Sequence, residues 1–170
     1  MNMAIATQMT VEEYLRTSFR PDCEYVDGEV LERNVGEKGH SKVQWRLMSY
    51  FDKHQVELGV FALHEWRFKV TERHYRVPDF TIVAGPEPDE AVLNTRPLVC
   101  VEILSPEDRM SRMQKKIADY LAYGVRYVWI LDPQTKQAFA YTAAGMHEIK
   151  DGFLRTENPA IEISLAEIFA

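Results

Sequence analysis

Apolar positions along the chain fall into two rhythms, and their alternation predicts the elements. Thr10-Val11-Glu12-Glu13 has the form of a capping box and predicts a short first helix. Glu24 to Leu31 alternates around Asp27-Gly28, the signature of a hairpin. From His40 to Leu58 the apolar residues Val43, Leu47, Tyr50 and Phe51 recur at helical spacing, and Gly59 stands where a helix stops. Val60 to Val70 and Arg76 to Val83 read as strands, followed by a Pro- and acid-rich loop from Ala84 to Pro97. Leu98 to Leu104 is the most apolar run and predicts a central strand. Glu107 to Tyr123 predicts a helix ended by Gly124, and Tyr127 to Leu131 a second buried strand stopped by Asp132-Pro133. Short strands are expected at Ala138–Thr142 and His147–Lys150, and a last helical turn at Ser164–Phe169.

Strand, helix, strand from Val99 to Leu131 implies a right-handed crossover between parallel strands, whereas the hairpins before it imply antiparallel pairing. The expectation is a single α/β domain over residues 1–170, a mixed β-sheet flanked by helices.

Within the central run, Cys100, Glu102 and Leu104 share one face; Val99, Val101 and Ile103 share the other and supply core. Glu102 is the only acidic or basic side chain between Arg96 and Glu107. A carboxylate in a buried strand needs a partner or keeps its proton. Asp79, at the entrance of the strand after Pro78, is the natural second acid if the two strands are neighbours. Two carboxylates with a main-chain carbonyl and waters suit a hard cation such as Mg²⁺ or Mn²⁺. On the following helix, Met110, Met113, Ile117, Tyr120 and Leu121 form one stripe. At ~100° per residue Lys116 lies at its border and Lys115 nearly opposite. Lys116 is therefore expected to bring its ammonium to the carboxylates, with Lys115 left in solvent.

Composition narrows the class. The chain has 170 residues, 46% hydrophobic and 27% charged, as in an ordinary globular domain. Its net charge of −6 argues against strong non-specific binding of nucleic acid and leaves room for a local basic cleft. Two cysteines without zinc spacing predict neither a disulfide framework nor a zinc site, and Cys100 reads as core. Met1–Thr10 lacks the pattern of a signal peptide and no run has the length of a membrane span, so the expectation is a cytoplasmic protein without membrane contact.

Pro78-Asp79 followed by Glu102-Ile103-Leu104 resembles the PD-(D/E)XK nuclease superfamily. More narrowly, Glu-Ile-Leu-Ser-Pro from Glu102, then Lys116, Tyr120, Gly124-Val125, Trp129 and Asp132-Pro133, resembles the Uma-type restriction endonuclease family. The resemblance runs from about Val11 to about Tyr141. It implies a restriction-endonuclease-like fold, a metal-dependent cut in DNA and a homodimer. By that likeness Asp79, Glu102 and the main-chain carbonyl of Ile103 hold Mg²⁺, Glu24 joins them directly or through water, and Lys116 replaces the lysine that stands two residues after the glutamate in the superfamily, where this chain has Leu104. His40 is expected to open the long helix, with a nitrogen toward the site, and Arg76, Arg109 and Arg112 are expected to contact phosphates. Arg112 stands where the family usually has an acid. Leu104 and Arg112 keep two alternatives open: a non-catalytic binding module of the same fold, and a hydrolase of another phosphate ester. Two further expectations concern structure: Ser105 caps the next helix, and Trp45, Trp66 and Trp129 are core. Lys116→Met is expected to lower turnover with little loss of stability.

Overall fold

The computed structural model describes residues 8–34 and 36–170. Residues 1–7, which make up most of the segment read above for a leader, lie outside them. Helix α1 (Val11–Arg16) starts at the predicted capping box, with Thr10 and Glu13 each bonding the other's main chain. The hairpin β1 (Glu24–Val26) and β2 (Glu29–Leu31) turns at Asp27-Gly28. Helix α2 (Lys38–Leu58) buries Val43, Leu47 and Phe51 and ends at Gly59, whose φ of 65° is the left-handed stop a side chain would resist.

The two strands expected next are each broken. β3 (Val60–His64) and β4 (Phe68–Thr71) replace the single run, and β5 (His74–Arg76) and β6 (Phe80–Ala84) replace the second. β3 pairs with β6 up to His64–Phe80, and β4 pairs with β5 from Phe68–Arg76. The chain is thus one long antiparallel hairpin bent at a single level, and its halves belong to two different sheets. Glu65 takes a φ of 50° at one side of the bend. On the other side Pro78 has no N–H to give a ladder, so pairing stops there.

The central strand β7 (Val99–Ile103) is buried throughout. It pairs antiparallel with β6 and parallel with β8 (Tyr127–Asp132). Helix α3 (Met110–Tyr123) connects β7 to β8 and ends at Gly124. It begins three residues later than expected, because Asp108 turns back to accept the N–H of Ser105. Ser105 is not the cap; Arg109 occupies that position and makes no side-chain capping bond. β9 (Gln137–Thr142) and β10 (Gly145–Glu148) complete a six-stranded sheet in the order β10-β9-β8-β7-β6-β3. A second sheet has the order β2-β1-β5-β4. The periodicity reading missed a third pair, β11 (Phe153–Thr156) with β12 (Ile161–Ser164), which precedes helix α4 (Leu165–Ile168).

One face of the six-stranded sheet packs against α2, β11, β12 and α4 through residues such as Leu47, Phe51, Val101, Trp129, Leu154 and Ile163. The other packs against α3 and β4 through Phe68, Cys100, Met113, Ile117, Tyr120 and Ile130. Two apolar residues expected in the core are outside it: Trp45 and Met110 are 60% and 62% exposed. Trp45 sits on the side of α2 opposite Val43 and Leu47, and Met110 stands at the first turn of α3, beyond the sheet. Among the described residues no helix is long and apolar enough to cross a membrane.

Candidate active site

Asp79 follows the break at Pro78, at the joint between the two sheets. Phe80 pairs with Val101, so the antiparallel register sets Asp79 beside Glu102. The Oδ2 of Asp79 accepts the main-chain N–H of Ile103 at 2.7 Å, which locks the carboxylate against β7. Its main-chain oxygen accepts from Gln44 Nε2 on α2 at 3.0 Å. The proline therefore ends one ladder, and the acid after it ties that end to the next strand and the next helix.

Helix α3 supplies the cation. Met113, Lys116, Ile117 and Tyr120 are its buried residues, at i, i+3, i+4 and i+7. Lys116 is buried while Lys115 is exposed, as the helical angle predicts. Lys116 Nζ donates to Glu102 Oε2 at 2.6 Å and lies 2.9 Å from Glu24 Oε1. Tyr120 donates its hydroxyl to Glu102 Oε1 at 2.7 Å. Glu24 comes from the smaller sheet, is wholly buried and also accepts from Arg76 Nη1 at 3.0 Å and from the N–H of Val77 at 3.2 Å. Each of these two carboxylates thus has both oxygens matched, the condition under which buried charge is tolerated.

His40 Nε2, on the first turn of α2, lies 3.2 Å from Asp79 Oδ1. The same oxygen meets Arg33 Nη2 at 2.5 Å. Arg33 and Tyr120's hydroxyl were not assigned to the site from sequence. Arg33 carries no periodic signal, being in an irregular segment 46 residues from its partner. Tyr120 reads as an apolar stripe residue, and only its i+4 relation to Lys116 hints at a shared target.

The three arginines expected at phosphates part company. Arg76 is buried, with its guanidinium taken by Glu24 and Asp119, so it buttresses Glu24 from inside and does not line the cleft. Arg112 lines the cleft and donates to the carbonyl oxygen of Glu32 at 2.6 Å. Arg109 is exposed and outside the cleft lining.

The electrostatics divide the two acids. Burial raises Glu102, to about 7, with the neighbouring charges of Asp79 and Glu24 adding and Lys116 opposing. Burial also disfavours the charge on Asp79, but the His40 hydrogen bond and the Arg33 charge outweigh it and bring Asp79 down to about 2. Lys116 loses solvation, yet Glu102, Glu24 and Asp79 together push it up to about 12, so it stays an ammonium. His40 is raised, its desolvation outweighed by Asp79.

Asp79, Glu102 and Lys116 line one small cavity of about 40 Å³ with Arg33, His40 and Arg112. Among the described residues no three of the His, Cys, Asp and Glu type gather at metal-ligand spacing. A cation held here would take the two carboxylates of Asp79 and Glu102 and complete its shell with main-chain carbonyl and water. That sparse, all-oxygen set fits Mg²⁺, which commonly keeps several waters and one or two carboxylates, and does not fit zinc.

A bent mixed sheet with an acid at its joint, an acid in the central strand and an inward lysine on the crossover helix is a restriction-endonuclease-like architecture. A solved structure supports that class: a protein from Anabaena variabilis ATCC 29413, described as a "putative nuclease belonging to DUF820", superposes with a TM-score of 0.79 at 22% identity, over 95% of this chain and 97% of that one. The model of the Uma2 family, described as "Putative restriction endonuclease", matches residues 11–168, and the chain belongs to that family. The comparison with curated proteins returned no match.

Proposed function

We propose that this protein is a divalent-metal-dependent endonuclease that hydrolyses phosphodiester bonds in DNA. The observation that carries the reading is the register of β6 on β7, with Asp79 and Glu102 side by side and the Lys116 ammonium on Glu102 in one polar cavity. Asp79, Glu102 and the Ile103 carbonyl would hold Mg²⁺ or Mn²⁺, with Glu24 behind them as the second partner of Lys116. A bound cation of this kind supplies a water of lowered pKa and offsets negative charge on the phosphate. Lys116 orients the attacking water and opposes the charge that develops on the phosphate oxygens. Water is the nucleophile, so the protein forms no covalent bond to substrate. Cutting both strands of a duplex favours two sites related by a two-fold axis, and the proposal includes a homodimer.

Supercoiled plasmid incubated with Mg²⁺, Mn²⁺ or EDTA tests this. Nicking should require metal and vanish in Asp79→Ala and Glu102→Ala. Binding of DNA without cleavage under every metal would point to a non-catalytic module, a reading favoured by the internal charge balance of the carboxylates. Cleavage of small phosphodiesters alone would point to a different hydrolase.

A further inference from the structure

Arg33 stands between β2 and α2, in a stretch tied across the cleft by two contacts. Arg112 donates to the carbonyl of Glu32, and Asn34 Nδ2 donates to Asp108 Oδ1 at 2.7 Å. The Arg33 side chain is only one-tenth exposed. Its Nη2 is on Asp79 Oδ1, and its Nη1 reaches Glu65, an exposed residue at the bend of the long hairpin, at 3.4 Å. One guanidinium therefore spans the buried acid of the site and an exposed acid at the hairpin bend.

That position sets up a competition. A divalent cation on Asp79 would stand against the guanidinium on the same carboxylate, and like charges at a few ångströms repel strongly where water is scarce. A substrate phosphate has the opposite relation to Arg33, because the planar fork of donors matches two phosphate oxygens. Glu65, exposed at the bend of the long hairpin, gives the guanidinium a second anchor that remains when Asp79 is taken by a cation. Resting on the nuclease reading, we infer that Arg33 is a positioning counter-ion: it holds Asp79 in the cation-free protein, yields it when a divalent cation binds, and moves to the substrate phosphate. Cation and nucleic acid then strengthen each other's binding through one side chain.

The test is calorimetric titration of Mn²⁺ into the wild-type protein, Arg33→Gln and Arg33→Lys, each alone and with a phosphorothioate duplex that resists cleavage. The wild type should bind Mn²⁺ about ten-fold tighter when the duplex is present. Arg33→Gln should bind Mn²⁺ about ten-fold tighter than the wild type without duplex, and gain nothing from the duplex. Arg33→Lys keeps the charge and loses the fork, so it should keep weak Mn²⁺ binding and lose most of the gain from the duplex. A glutamine variant with unchanged Mn²⁺ affinity, or with the full duplex effect, overturns the inference. Should that variant fail to fold, a lysine variant with wild-type coupling overturns it equally. A wild type that binds Mn²⁺ and nicks plasmid while either variant gives the contrary result sinks the role of Arg33 alone. A wild type that neither binds Mn²⁺ nor nicks plasmid sinks the nuclease reading and this inference with it.

Discussion

The two faces of the six-stranded sheet are both closed to water, yet they are held together by different forces. On the side of α2 and α4, Val99, Val101 and Ile103 of β7 belong to a large apolar cluster. On the side of α3, the same strand presents Cys100 to an apolar cluster and Glu102 to Lys116 and Tyr120. Apolar burial is non-directional, so on the first face the stabilisation is spread over many contacts and trimming one leaves no charge behind. Burial of charge is directional and unforgiving. On the second face Glu24, Asp79, Glu102, Arg76 and Lys116 each need a particular partner, and removing one strands another.

The sharpest way to break this comparison is to exchange the acids. Asp79→Asn and Glu102→Gln should lower metal-dependent nicking ~10³-fold or more, a size typical of residues that act as a unit in a reaction. Circular dichroism should show both variants folded. Equal loss from a substitution on the α2 face would erase the distinction drawn here.

Lys116→Met sharpens it in a different way. Its sequence position suggested a variant of nearly normal stability. The structure reverses that expectation, because the ammonium serves two buried carboxylates at 2.6 and 2.9 Å. Leaving Glu102 without a cation, and Glu24 with Arg76 alone, should cost ~3–5 kcal/mol in urea unfolding, besides lost turnover. On the opposite face, Leu47→Ala should cost ~3 kcal/mol by transfer and cavity effects and leave the nicking rate of the folded protein unchanged.

A smaller effect is the pH dependence of stability. Glu102 has its folded value raised to about 7 from an ordinary 4.5, so the native state binds the extra proton between those limits. Stability from this group is highest at low pH and falls as pH rises from 4.5 to about 7. Asp79 has the opposite sign: its contribution is complete above 3.8 and is lost as pH falls toward about 2. Urea midpoints of wild type and Glu102→Gln between pH 5 and 8, a window set by ~2 units around these values, should diverge along this slope; parallel curves would remove the proton from Glu102. Smallest of all, Trp45→Ala should change stability by no more than ~0.5 kcal/mol, because the ring stands in solvent.

Much of this was open to a reader of the chain alone. Local rhythm located α2 and its buried stripe, the hairpin at Asp27-Gly28, β7 with Glu102 on its own face, and the inward turn of Lys116 against the outward turn of Lys115. These depend on neighbours a few residues apart, and backbone geometry alone dictates which of them share a face. The same rhythm misassigned Met110, and residue type alone misassigned Trp45, since an apolar residue signals a preference for burial and not the presence of something to bury it.

What the sequence by itself determined, then, is the inventory: the elements, their apolar faces, and the acids and lysine that no core would bury without cause. Only the tertiary structure decided where the two long strands bend into separate sheets, and hence that Asp79 lies at their joint beside Glu102. It alone brought Arg33 to Asp79, turned Arg76 inward to Glu24, and closed each carboxylate with a partner. The reason is range. Periodicity is written into the local geometry of the backbone, whereas an ion pair between residues far apart in the chain exists only after the sheets and helices between them have packed.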